Sequence, residues 1–321
     1  MKKWTSLLEA AGLTAISTLA LLSTGLITGN AEQVIHQHSS ALNYYSSRGY
    51  SDVYNHGKAT HYSDYSGETP NWLKSNSGKY VNFHHYMDID VDSPQSIIMN
   101  PNKNIFVASN DYDGRMNVVR YQGNHHQNVK AGPTFRGGHG QSMSYNPQNH
   151  QIWLVGNKSG ASQHSSNVQE ISPYSLRPLR KINFSFGQSI ISSNLAFDKR
   201  GNAYTYTITG GGFAPAGSVK LYKGRITDHS VKFHLVKQGI RHAPGETPQA
   251  MSYNPKNDRL YLVSDGEIIS FPAKKIGHLS KRDVSYSKFP GRLEFEGLTF
   301  DHSGHGYLLL HGEIMRSTRV F

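Results

Sequence analysis

Cysteine is absent from the 321 residues, and acidic side chains are few, with 22 Asp and Glu against 33 Lys and Arg. Without cysteine there is no disulfide scaffold, thiolate metal site, iron–sulfur cluster or cysteine nucleophile. The chain also lacks a Gly-x-Ser-x-Gly elbow, a Gly-rich phosphate loop and a His-Glu-x-x-His zinc motif. Long apolar runs are scarce. The longest, Ala10 to Ile27, has 18 residues rich in Ala, Gly and Thr, marginal for spanning ~30 Å of hydrocarbon. What is present is aromatic bulk, 19 Tyr and 13 Phe, enough to build a packed core and to exclude wholesale disorder.

The apolar run follows Lys2 and Lys3 and precedes Gly29-Asn30-Ala31. A short basic stretch, an apolar segment and small residues at the cleavage positions make a secretory signal, so residues 1–31 are expected to be removed after Ala31. The remaining chain carries 31 basic and 21 acidic residues, a net charge of +10. Export without cysteine fits Gram-positive secretion. The positive charge favours polyanions, the nearest being the wall phosphates and anionic lipids of the envelope. Basic residues are spread along the chain with no recognition motif, so no nucleic-acid partner is expected. The expected protein is a secreted, wall-associated monomer without stable membrane insertion.

Residues 32–79 are polar and Tyr/Ser-rich, with no persistent period of 3.6 or 2, and read as an extended, loop-rich segment. A repeat then begins. Gln95-Ser96-Ile97-Ile98-Met99-Asn100-Pro101 is echoed by Gln141-Ser142-Met143-Ser144-Tyr145-Asn146-Pro147 and Gln249-Ala250-Met251-Ser252-Tyr253-Asn254-Pro255. Ser193-Asn194-Leu195-Ala196-Phe197-Asp198 and Glu296-Gly297-Leu298-Thr299-Phe300-Asp301 keep the pattern. The Asn/Asp anchors fall at 100, 146, 198, 254 and 301, and each opens a polar turn followed by a second apolar run. A hairpin plus weaker strands every 45–55 residues or so is the grammar of a propeller blade. The chain is therefore read as all-β, a five-bladed β-propeller over 80–321. Its last blade is one strand short, and the stretch Tyr80–Asp90 is placed there as the closing strand.

In a propeller the first strand of each blade lines the axis. Alignment puts Gln95, Gln141, Ser193, Gln249 and Glu296 in one ring, with Ser96, Ser142, Asn194, Ala250 and Gly297 next to it. His139, His242 and Arg292 fall near the mouth. The candidate ligand-binding set is thus Gln95, His139, Gln141, Ser193, Asn194, His242, Gln249, Arg292 and Glu296, polar groups suited to a sugar or another small polar molecule. One carboxylate among five ring positions is poor for calcium. A transition metal would need His125, His126, His139 and His242 to converge. No metal and no cofactor are expected. Glu246, Glu294 and Glu296 are the central acids, and Glu296 is the candidate general acid or base if the protein is an enzyme.

The segments Gly138-His139-Gly140-Gln141-Ser142 through Trp153-Leu154-Val155, and Leu293-Glu294-Phe295-Glu296-Gly297 through Tyr307-Leu308-Leu309, resemble those of secreted propeller proteins of lactic acid bacteria related to the bacteriocin helveticin J. The resemblance covers 80–321 as a pattern. It implies an antibacterial protein acting at the envelope, with no catalytic residues to carry over. The turn Glu296-Gly297-Leu298-Thr299 also resembles glutamine cyclotransferases and propeller lyases or lactonases. The envelope-binding reading comes first and the propeller enzyme second. A pocket carboxylate with a raised pKa favours the second.

Overall fold

The computed structural model describes residues 82–111, 113–122, 127–156, 166–184, 194–209, 218–241, 248–280, 282–289 and 294–321, and short strands at 33–36, 41–42, 72–73 and 77–78. The expected signal segment 1–31 lies outside the described residues, as do Ser193, His242, Arg292, His125, His126 and Glu246.

Five antiparallel sheets surround an axis, and each begins at one copy of the repeat. Blade 1 runs Pro94–Met99, Ile105–Asn110 and Arg115–Gln122, with Asn128–Ala131 and Phe135–Arg136 both on its outer edge. Blade 2 is Ser142–Asn146, Gln151–Val155, Ser166–Ile171 and Pro178–Phe184. Blade 3 is Ala196–Phe197, Ala203–Thr209, Ser218–Ile226 and Val231–Arg241. Blade 4 is Pro248–Asn254, Arg259–Ser264, Glu267–Pro272 and Ser285–Lys288. Blade 5 takes Gly297–Phe300, Gly306–Leu310 and Glu313–Ser317 from the end of the chain, and Phe83–Asp88 from before blade 1. The closing strand pairs antiparallel with Glu313–Ser317, from Asp88 opposite Glu313 to Phe83 opposite Ser317.

The anchors work through their side chains. Asn100 Oδ1 accepts the N–H of Asn104 (3.0 Å), Asn146 Oδ1 that of Gln148 (3.0 Å), and Asn254 Oδ1 that of Lys256 (2.9 Å). Asp198 Oδ1 accepts from Arg200 and Asn202, and Asp301 Oδ1 from His305, all at 2.9 Å. A short carbonyl or carboxylate side chain mimics one backbone turn, which is why every hairpin starts on Asn or Asp. Each turn then passes a left-handed residue: Lys103, His150, Gly201, Asp258 or Gly304.

The core is divided among the five blade-to-blade contacts. Phe106, Val118, Ile152 and Leu154 join blades 1 and 2; Trp153, Val168, Tyr222 and Phe233 join 2 and 3; Tyr204, Leu221, Leu262 and Ile269 join 3 and 4. Phe83, Tyr261, Val263 and Leu308 join 4 and 5, and Ile97, Val107, Tyr307 and Leu309 join 5 to 1, so the ring is closed. The inner strands leave backbone groups without a partner on their own sheet, and hydroxyls from the neighbouring blade supply partners. Met99 N–H donates to Thr299 Oγ1 (2.9 Å), Phe197 N–H to Ser144 Oγ (3.1 Å) and Leu195 N–H to Ser142 Oγ (3.1 Å). Ser96 donates to the Gly140 carbonyl at 2.9 Å, and Ser252 to that of Leu298. Small hydroxyls recur in the repeat because they form rungs between blades.

Within 32–79, read as loop-rich, the structure describes four short strands. Gln33–His36 adds parallel to Pro178–Phe184 of blade 2, and Ala41–Leu42 parallel to Val231–Arg241 of blade 3. Ser77–Gly78 pairs with Ser285–Lys288 of blade 4, and Trp72–Leu73 with the closing strand of blade 5. These segments lie on the outer edges of four blades and leave the axis to the inner strands.

Candidate functional site

The N-terminal ends of the inner strands form a polar mouth. Gln141 Nε2 donates to Gln249 Oε1 (2.9 Å) and to the Pro248 carbonyl (2.8 Å), a bond from blade 2 to blade 4 that passes over blade 3. Gln249 Nε2 donates onward to Asp265 Oδ1 (3.0 Å), which also accepts the Phe295 N–H (2.9 Å). Asp265 sits in the two-residue turn joining the second and third strands of blade 4, where Gly266 takes a φ of +67°. Its oxygen thus ties blade 4 to the segment leading into Glu296. Both of its N–H bonds suit an acceptor-only carboxylate.

Glu296 is the ring acid, 4% exposed. Gly297 lets it approach blade 1. A Cβ there would meet Ile97 Cγ2 at 3.1 Å and the Ile97 nitrogen at 3.2 Å, so even an alanine would require Ile97 of blade 1 to give way by a few tenths of an ångström. Burial drives the Glu296 carboxyl well above the ordinary carboxylate range, and the negative charges of Glu294 and Asp265 push it further. The equivalent residue of blade 1, Gln95, donates through Nε2 to the Pro94 carbonyl at 3.2 Å. Its Oε1 is buried and has no hydrogen-bond partner among the described residues. Beside it, His139 Nδ1 lies 3.5 Å from Asn110 Nδ2, and burial lowers the imidazole pKa.

The sequence-derived ring therefore divides. Gln141 and Gln249 lock the mouth to Asp265, while Gln95 keeps a buried amide oxygen with no partner among the described residues. Asn194 turns into its own blade, with Nδ2 donating to the Tyr206 carbonyl and Oδ1 accepting the Tyr206 N–H, both at 2.9 Å. Ser193, His242 and Arg292 lie outside the described residues. Asp265 escaped the sequence reading, although its Ser-Asp-Gly-Glu turn between two apolar runs was visible. Lys220 escaped it too. It is buried in the third strand of blade 3, and desolvation lowers its pKa to about 8. Away from the axis, His85 Nε2 lies 3.1 Å from Asp88 Oδ1 and 3.9 Å from Glu313 Oε2, the one grouping among the described residues with a metal-compatible ligand set.

No protein-family model matches the chain, and no curated protein matches its sequence. Solved structures do match. A streptogramin B lyase is 12% identical over 70% of this chain and 64% of the lyase, with a TM-score of 0.40, so the chain spans less than two thirds of that protein. The periplasmic gluconolactonase of Pseudomonas aeruginosa is 11% identical over 75% of each chain, with a TM-score of 0.46. A PQQ-bound aldose sugar dehydrogenase from Streptomyces coelicolor is 10% identical over 76% of this chain and 97% of its own, with a TM-score of 0.44. At these identities the likeness is one of fold.

Proposed function

We propose that the protein is a propeller enzyme that performs acid–base chemistry on a small polar substrate at the axial mouth, a lyase, lactonase or glutamine cyclotransferase-like reaction. One observation carries the reading: adjacent ring positions hold a buried Glu296 carboxyl, pushed toward its neutral form, and a buried Gln95 amide oxygen with no partner among the described residues. Buried polar groups are almost always bonded, and a buried amide oxygen left open points to a partner that arrives later. In this reading Glu296 donates a proton to the leaving atom or carbonyl oxygen of the substrate, then takes one back. Gln95 Oε1 accepts from a substrate hydroxyl or N–H and orients it. Asp265, fixed by Gln249 and Phe295, supplies a constant negative charge that holds the Glu296 proton in place.

The test is turnover by the purified chain of a sugar δ-lactone, a uronate polymer and an N-terminal glutaminyl peptide, followed as acid release, unsaturated product and ammonia respectively. Wild type is expected to turn over one of the three, and Glu296→Gln to remove that activity. Full activity in the variant, or no turnover of any of the three, refutes the reading.

A second reading, attachment to the anionic cell envelope, is supported by the +10 charge of residues 32–321. Exposed charges are screened over about 8 Å at physiological ionic strength, so attachment must rest on many Lys and Arg acting together. Protein bound to purified Gram-positive walls is expected to be released when salt rises from about 0.05 to 0.5 M. Walls stripped of teichoic acid are expected to bind less at low salt. Binding indifferent to both treatments would remove this reading and leave the charge a role in solubility.

A further inference from the structure

The opposite end of the axis is built differently. Where the inner strands reach their anchors, an open cavity of about 250 Å³ is lined by residues of all five blades. Its wall includes Met99, Met143, Met251, Phe197, Tyr145 and Tyr253. The side-chain hydroxyls of that wall are already engaged. The hydroxyls of Ser144, Ser252 and Thr299 form the rungs between blades. The Tyr145 hydroxyl is bonded to His150 Nδ1 at 2.9 Å, and the Tyr253 hydroxyl donates to Asp258 Oδ1 at 2.7 Å. Most of what remains facing the cavity is thioether, aromatic ring and aliphatic carbon, a soft surface that adapts to an apolar ligand.

The rim carries the second clue. Three blades open their anchor turn with Pro101, Pro147 and Pro255. The other two place Lys199 and His302 there, both exposed and both lining the cavity. The nearby Asp198 is buried, and its carboxylate takes the N–H groups of Arg200 and Asn202, the Asn202 amide and the Tyr204 hydroxyl. The rim therefore presents an ammonium and an imidazole outward while its acid is turned into the turn.

We propose that this face is a second ligand site, distinct from the mouth, which takes a small aromatic or branched aliphatic carboxylate. The apolar body enters among Met99, Met143 and Met251, and the carboxylate stays at the rim against Lys199 and His302. The size fits: an apolar cavity of about 150 Å³ admits a benzene ring, so this one holds a ring with a short acidic arm. Met143, Met251 and Leu298 of its wall stand two residues beyond Gln141, Gln249 and Glu296, about 7 Å of extended strand at about 3.3 Å each, and Lys199 and His302 stand farther out at the rim. It stands or falls apart from the proposed acid–base chemistry.

The probe is 4-fluorophenylacetate, titrated into the full chain with methyl-labelled methionine. The methyl signals of Met99, Met143 and Met251 are expected to shift and saturate. Those of Met315, buried between blades 4 and 5, and Met87 are expected to stay in place. The neutral 4-fluorophenylacetamide and the exposed-site variant Lys199→Glu are each expected to bind several-fold more weakly, the scale of one partly screened charge pair. The site is refuted if no methyl moves at millimolar probe, or if the shifts are shared equally by Met315 and Met87. Equal affinity for acid and amide would overturn the assignment of a carboxylate ligand.

Discussion

Phe83→Ala is expected to cost the propeller about 3–5 kcal/mol, the range for emptying a well-packed aromatic site. Phe83 is the first residue of the closing strand and has no solvent exposure. Its ring centroid lies 5.8 Å from those of both Phe289 and Phe321. Phe321 meets Tyr261 and Phe300 edge-to-face in turn, with ring centroids 5.4 Å and 5.2 Å away. One aromatic cluster therefore clamps the strand that precedes blade 1 onto the last residue of the chain. Two backbone bonds fasten the same place: Thr318 N–H to the Asn82 carbonyl (2.8 Å) and Phe321 N–H to the Gly304 carbonyl (3.1 Å). Removing the ring opens a cavity that these backbone bonds cannot fill, because they hold the segments at 82–83 and 318–321 around it. Urea unfolding is the measurement, with the midpoint lowered and the slope kept if the ring still opens as one unit. A loss below about 1 kcal/mol would mean that the seam is held by the sheet alone.

That seam was legible before any coordinates, and the reason is local. Asn100, Asn146, Asp198, Asn254 and Asp301 mark each inner hairpin because the turn needs a side-chain acceptor at that point. Counting strands from the anchors left blade 5 one short, with the stretch Tyr80–Asp90 to supply it, and the structure places the strand at Phe83–Asp88. The outer strands at 33–36, 41–42, 72–73 and 77–78 were not legible. Pairings of two to four residues on an outer edge bury too little to impose alternation on the sequence. The candidate site was half legible. The repeat phase aligns Gln141 and Gln249, but their bond spans 108 positions and depends on the diameter of the closed ring. Asp265 looked like ordinary turn chemistry. Its function as an acceptor arises only because Phe295, 30 positions later, comes within 2.9 Å.

Glu296→Gln is expected to separate activity from stability. The substitution keeps shape and removes the exchangeable carboxyl proton, so general acid–base turnover should fall by about 100-fold or more. Stability should move the other way. Glu296 is 4% exposed, and burial together with Glu294 and Asp265 raises its pKa above the unfolded value. Between the unfolded pKa of about 4.3 and the raised folded one, the native protein holds a proton that the unfolded chain has released. Its contribution is therefore fully present below about pH 4.3 and is lost as pH rises through the folded pKa. Glutamine has no such titration, so the variant should melt at or above the wild-type temperature near neutral pH. The difference should shrink as pH falls toward 4 and wild-type Glu296 is protonated in both states. Thermal melts of both proteins across that range, run beside the turnover assay, give the answer. A variant that melts lower than wild type near neutral pH would show that the carboxylate is held ionised by partners at the mouth. Glu296 would then be an anchor of the channel and no longer its acid.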